Sequence, residues 1–249
     1  MRTYATAQQT GTDPVQCDAT AVHTAPSGAR AYVLLDGIGR SQGIREWTRT
    51  AARQVARAAS RRGDAEAGLR HVYNRYAAER AVHGSGPKAA AVVVVTAPGK
   101  PTTIAWCGDS RAYSIRHGVA HQLTADHNLR RVYPPCTVFP EGGNRNRITS
   151  CLGSTATDQD VMNVYGHPAI EATTCHADTH RLVLASDGAY EPHADAGRDL
   201  ASELVGLPGE AARAFTASAV HRAAATTRAL DPNRAYADNA TVLVADIRP

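Results

Sequence analysis

The chain has 249 residues, of which 43% are hydrophobic and 20% charged, with a formal net charge of +4. That length buries a core without staples and holds one large domain or two small ones, and the composition excludes a disordered or fibrous chain. The positive excess sits on scattered or helical arginines, with Lys88 and Lys100 the only lysines, so no dense basic block with interleaved aromatics marks a nucleic-acid footprint.

The first residues, Met1 to Ala5, lack the apolar core of a signal peptide. Thr3–Gln9 and Cys17–His23 are β-prone. The apolar run Ala31–Leu35 ends at Asp36-Gly37, which reads as a strand entering a turn. From about Ser41 to Arg61, Ile44, Trp47, Ala51, Val55 and Ala58 recur at helical spacing, with arginines on the other face. Asp64 caps a second helix that carries Leu69, Val72, Tyr73 and Tyr76 and closes at Gly84. Strand patterns follow at Ala90–Thr96, Thr103–Cys107 and Ala112–Arg116, and His117-Gly118 forms a hairpin turn into Ala120–Leu123. The most apolar run, Ala89–Ala97, is far shorter than the roughly 20 residues that cross a bilayer.

Arg130–Thr149 has no period and reads as a long loop, of the kind that often carries function. Strands are expected at Ile170–Thr174, Arg181–Ala185 and Ala240–Ile247, and helices at Asp199–Leu204 and Glu210–Arg228. This order does not alternate βαβ. It predicts an α+β fold with two antiparallel sheets packed together and helices outside, in a single domain over 1–249. The five cysteines form no CxxC pair. The expectation is reduced, mostly buried thiols in a soluble cytoplasmic protein with no membrane span.

Aspartates stand where strands end or begin: Asp36 after Leu35, Asp109 after Cys107-Gly108, Asp187 after Ala185-Ser186, Asp238 just before Ala240, and Asp18 after Cys17. Each alone fits ordinary turn chemistry. Together they can converge on one point, where mutual repulsion calls for a hard divalent cation. A site with oxygen ligands only suits magnesium or manganese rather than zinc. Gly37 leaves its carbonyl open to such an ion.

The same segments resemble, in order, the motifs of the metal-dependent type 2C (PPM) serine/threonine protein phosphatases. Asp36-Gly37-Ile38-Gly39 looks like DGxG, and Gly108–Tyr113 is similar to GDSRAY. Leu123–Asn128 resembles LTxDHS, and Ile148–Gly153 resembles LTRALG. Ser186-Asp187-Gly188 and Asp238–Val242 look like SDG and DNxTV. The resemblance runs from Asp18 to Val244. It implies a central β-sandwich flanked by helices (αββα) with two Mn²⁺ or Mg²⁺ ions at one edge. In that picture Asp36 bridges the ions; the Gly37 carbonyl, Asp187 and Asp238 complete the ligands. Asp18 holds a metal-bound water, and Asp109 with Asp187 takes a third, weaker ion. The implied reaction is attack of a metal-activated water on phosphoserine or phosphothreonine in a protein. The implied cellular role is signalling opposite a serine/threonine kinase.

One position departs. Five residues before Asp18, where many members carry a phosphate-gripping arginine, stands Asp13. Arg40, in place of the second glycine of DGxGG, either takes over the phosphate or is a solvated residue opening the next helix. Two alternatives follow from this departure: a pseudophosphatase that binds without turnover, and a phosphatase of a small phosphorylated metabolite.

Overall fold

The computed structural model describes residues 3–176, 178–233 and 235–248. One sheet contains β1 (Tyr4–Gln9), β6 (Arg111–Arg116), β7 (Val119–Gln122), β9 (His180–Ala185) and β10 (Ala240–Ile247), in the order β1-β10-β9-β6-β7. The other contains β2 (Ala19–Thr24), β3 (Arg30–Gly37), β4 (Ala89–Thr96), β5 (Thr102–Cys107) and β8 (Glu171–Cys175), in the order β2-β3-β4-β5-β8. Every pairing is antiparallel.

Period-two alternation creates the layers, because successive side chains of a strand point to opposite faces. Leu34, Val92, Val94 and Ile104 from one sheet meet Leu182, Leu184 and Leu243 from the other in the central core. The intervening residues Val33, Leu35, Val93 and Val95 face outward onto α1 (Gln42–Arg62) and α2 (Ala65–His83). On the far side, Val183, Val242 and Val244 pack on α5 (Asp187–Asp195) and α7 (Pro208–Leu230) through Tyr190, Ala212 and Phe215. Strands buried on both faces read as unbroken apolar runs, which is why β4 looks like Ala-Ala-Ala-Val-Val-Val-Val. Each fully buried leucine or valine contributes about 1.5–3 kcal/mol. The α-β-β-α layering is the expected one.

Ser41 caps α1 by accepting from the Ile44 N–H, and Asp64 caps α2 by accepting from Ala67 at 2.7 Å. The strand and helix boundaries agree with the sequence to within two residues, with three additions. A single turn, α3 (Leu129–Val132), opens the 130–149 segment under an Asn128 cap. Thr157 and Asp160 form a capping box that starts α4 (Asp158–Tyr165). The third is a correction: Asp187-Gly188 is not a turn but the first residues of α5, with Ser186 as N-cap. Gly188 and Pro192 inside nine residues hide that helix from propensity reasoning. A short α6 (Leu200–Glu203) precedes α7. Among the described residues no helix is long and apolar enough to cross a membrane. All five cysteines are free; Cys17, Cys107 and Cys151 are buried, Cys175 is half-buried, and Cys136 is exposed rather than buried.

Candidate active site

Antiparallel neighbours start and stop opposite one another, so one edge of the sandwich collects strand ends from both sheets. Asp36 faces Ala90 across β3 and β4, Cys107 faces Ala91, and Ala185 faces both Arg111 and Val242. Asp36 and Gly37 close β3, Asp18 precedes β2, Asp109 turns between β5 and β6, Asp187 opens α5, and Asp238 lies just before β10. All of these residues, with Arg40, line one cavity of about 590 Å³. The structure thus brings every residue singled out from the sequence to the same place.

The local chain geometry has identifiable causes. Gly108 adopts φ +107°, and a Cβ there would sit 2.4–2.6 Å from Ala90, so only glycine lets the Asp109 turn lie against β4. The turn is held further by His127, whose Nδ1 accepts from the Gly108 N–H at 3.5 Å, and by the Tyr190 hydroxyl, which donates to the Asp109 carbonyl at 3.0 Å. Gly37 has a steric reason as well. A Cβ there would lie 2.5 Å from the Cys17 carbonyl oxygen and 2.6 Å from Thr48 Oγ1, so close packing of β3 on α1 already demands glycine.

Four of these carboxylates, Asp18, Asp36, Asp109 and Asp187, resist ionisation. Burial raises Asp18 to about 7, with repulsion from Asp187 and Asp238 adding to it and a hydrogen bond with Thr241 opposing it. Burial, then Asp18, Asp187, Asp109 and Asp238, hold Asp36 well above the ordinary range. Asp109 is raised well by burial and Asp187, and Asp187 is raised by burial and Asp238. Asp18 Oδ2 is buried with no hydrogen-bond partner. Among the described residues no three acidic, His or Cys side chains surround a common point. An oxygen-only donor set, an orphaned buried carboxylate oxygen and mutual repulsion all fit a hard divalent cation.

Around the acids stand Arg145, which the sequence offered as a loop arginine within reach of substrate, and others that it did not mark. Arg145, from the long loop, donates from Nη1 and Nη2 to both oxygens of Asp195 at 2.7 Å, and its Nε lies 3.2 Å from Glu191. Glu191, raised to about 7 by burial and by Asp187, lines the cavity with Arg145 and Asp195. Asp187, Glu191 and Asp195 are spaced i, i+4 and i+8, one face of α5, a signal that required knowing the helix. The Tyr236 hydroxyl donates to Asp238 Oδ2 at 3.2 Å. Arg40 is exposed, with Nε 3.3 Å from Asp13 Oδ2, so the two departures from the motif pattern are paired with each other.

Comparison with known proteins places this geometry. Residues 32–132 match the family model described as Protein phosphatase 2C. A rice (Oryza sativa subsp. japonica) protein described as "Probable protein phosphatase 2C 8" is 30% identical over 236 residues, covering 88% of this chain and 55% of its own. This chain therefore spans about half the length of that relative. Among solved structures, a serine/threonine phosphatase of S. agalactiae superposes with a TM-score of 0.74 at 17% identity, covering 98% of this chain and 99% of its own. The Mycobacterium tuberculosis serine/threonine phosphatase PstP/Ppp gives 0.67 at 21%, covering 99% and 98%. At such identities these two show the shared fold.

Proposed function

We propose that the chain is a protein phosphatase 2C, a reading supported by the family model over residues 32–132 and by the rice relative, and that it hydrolyses phosphoserine and phosphothreonine in proteins at the carboxylate-lined cavity. The observation that carries this reading is the convergence of Asp18, Asp36, Asp109, Asp187 and Asp238, from both sheets, on one cavity. A fold does not keep buried or half-buried, mutually repelling carboxylates such as Asp18, Asp36, Asp109 and Asp187 for stability; such groups cluster at functional sites.

Asp36, the Gly37 carbonyl, Asp187 and Asp238 would hold two Mn²⁺ or Mg²⁺ ions, with Asp109 and Asp187 available to a third. Bound divalent ions supply positive charge that acidifies a nucleophilic water and neutralises the phosphoryl oxygens. Asp18 is buried and keeps Oδ2 free, so it can hold that water by a hydrogen bond. Tyr236 fixes Asp238 through its hydroxyl. Arg40 stands at the cavity wall with most of its side chain exposed, so its guanidinium can exchange Asp13 for a phosphate dianion, which it binds in a fork. On this reading the protein works in the cytoplasm opposite a serine/threonine kinase.

The direct test is hydrolysis of p-nitrophenyl phosphate and a phosphothreonine peptide with Mn²⁺, with EDTA, and with Asp187→Ala. Manganese-dependent turnover of both substrates that EDTA and Asp187→Ala abolish is the expected result. No turnover would leave a pseudophosphatase, and turnover of the small ester alone would mark a metabolite phosphatase. Arg40→Ala should raise KM for the phosphopeptide roughly tenfold, as loss of one charge-assisted contact does; unchanged kinetics would remove Arg40 from the site.

A further inference from the structure

A second cavity of about 370 Å³ adjoins the first, and Arg145, Glu191 and Asp195 line both. The ion pairs of Arg145 with Glu191 and Asp195 form the partition between them. Arg111, Arg130 and Arg131 line the second cavity as well. Three of its four arginines are matched by carboxylates. Arg111 donates in a fork to Asp126 at 2.7 and 2.8 Å, and Arg131 donates in a fork to Glu171 at 2.5 and 2.9 Å. Arg145 is held by Asp195 and Glu191.

Arg130 is different. Its guanidinium donates only to backbone carbonyls, to Gly143 at 3.4 Å and Glu141 at 3.2 Å, and among the described residues it has no ion-pair partner. It is half-buried at the root of the long loop. The carboxylates that share this wall, Asp126, Glu191 and Asp195, are each already engaged by Arg111 or Arg145. A half-buried cation that makes no contact ion pair, with only the already engaged Asp195, among the described residues, near enough to feel its charge, leaves room in the cavity for an anion from outside.

We propose that this cavity is an acidic-residue subsite, which takes a glutamate or aspartate side chain of the protein substrate beside the residue being dephosphorylated. The proposal rests on the phosphoprotein reading above. It makes Arg130 a specificity-determining residue that leaves the chemistry itself untouched. A small ester occupies the first cavity alone and does not reach Arg130.

The test is binding, read by fluorescence anisotropy. A short fluorescein-labelled peptide with one threonine flanked by glutamates is compared with its glutamine twin, in EDTA and again in Mg²⁺. The wild type should bind the glutamate peptide about three- to tenfold more tightly, the range of one charge-assisted contact. Arg130→Gln, which keeps a donor for the loop carbonyls, should remove the preference. Ala125→Glu, which adds a negative charge to the same wall, should remove it too. Arg53→Gln removes the same charge from an exposed position on α1 and should keep it. Equal binding of the two peptides by the wild type would overturn the proposal. So would an equal loss in Arg53→Gln, which would assign the preference to net charge. Manganese-dependent hydrolysis of p-nitrophenyl phosphate, unchanged in Arg130→Gln, is measured alongside. Its absence would count against the phosphatase reading while leaving the peptide preference to be judged by anisotropy.

Discussion

Two groups of ionisable side chains flank the Gly108–Asp109 turn, and they are satisfied in opposite ways. On one side His127, Glu171 and Arg131 form a closed chain, with His127 Nε2 2.9 Å from Glu171, and Arg111 forks onto Asp126. Burial lowers His127 to about 4, so the ring is neutral and donates to the carboxylate. Against the cost of burial, Arg131 and His127 bring Glu171 down to about 2. On the other side Asp18, Asp36, Asp109 and Asp187 are all raised, and one buried oxygen has no partner. The first group stabilises the turn. The second weakens the fold unless a cation joins it, which is the signature of a site kept for binding.

The largest expected effect is on the acidic side. Asp36→Asn should abolish manganese-dependent hydrolysis, yet in EDTA it should melt above the wild type because one repelling carboxylate is gone. At a hundredfold excess over Kd, bound Mn²⁺ should add about 2.7 kcal/mol, a rise of roughly 5–10 °C in a chain of this size. Differential scanning calorimetry should show that rise in the wild type and none in Asp36→Asn. A variant less stable than wild type in EDTA would break the contrast between the two groups.

Gly108→Ala tests the turn that separates them. A left-handed backbone combined with a clash on Ala90 should cost about 2–4 kcal/mol, measured by urea unfolding in EDTA. A loss under 1 kcal/mol, on the order of an ordinary surface change, would show that the turn can relax.

The paired side carries a pH signature of smaller size. The folded pKa of His127 lies below its ordinary 6.5, so its contribution is fully present above that value and is lost as pH falls through about 4. Glu171 falls from 4.5 to about 2, so its share is present above 4.5 and is lost between there and 2. The contribution of this pair should therefore decline by about 2 kcal/mol on acidification, beginning below pH 6.5, and it is read as the difference between the wild type and Glu171→Gln because the raised aspartates pull the other way in both proteins. Glu171→Gln should flatten the limb below pH 4.5, and an unchanged limb would contradict the role given to this carboxylate.

The smallest effect is at the cavity mouth. Asp13→Asn frees Arg40 from its exposed partner and should lower KM for a phosphopeptide about two- to threefold, as exposed pairs contribute little. A higher KM would mean that Asp13 orients Arg40 rather than competing with the phosphate.

Much of this was legible in the sequence because it rests on local rules. Unbroken Val runs mark strands buried on two faces, Ser41 and Asp64 mark helix starts, and Asp36, Asp109, Asp187 and Asp238 sit against recognisable strand ends. Helix α5 was hidden by Gly188 and Pro192, and with it the alignment of Glu191 and Asp195 behind Asp187. The partners of Arg145, and the place of Arg130, were unreadable for another reason. Their neighbours lie far along the chain, and only the folded loop sets one in an ion-pair latch and leaves the other unpaired. Gly37 was noticed for its place beside Asp36, while the packing of Cys17 and Thr48 that also requires glycine there was not visible in the sequence.

Isothermal titration of the EDTA-stripped, dialysed protein with Mn²⁺ tests the central claim most directly. Cooperation of Asp36, Asp187 and Asp238 in one oxygen-only site predicts uptake of about two ions per chain, with binding lost in Asp36→Asn and retained in Glu171→Gln. Absence of Mn²⁺ binding by the wild type, or uptake undiminished in Asp36→Asn, would contradict it.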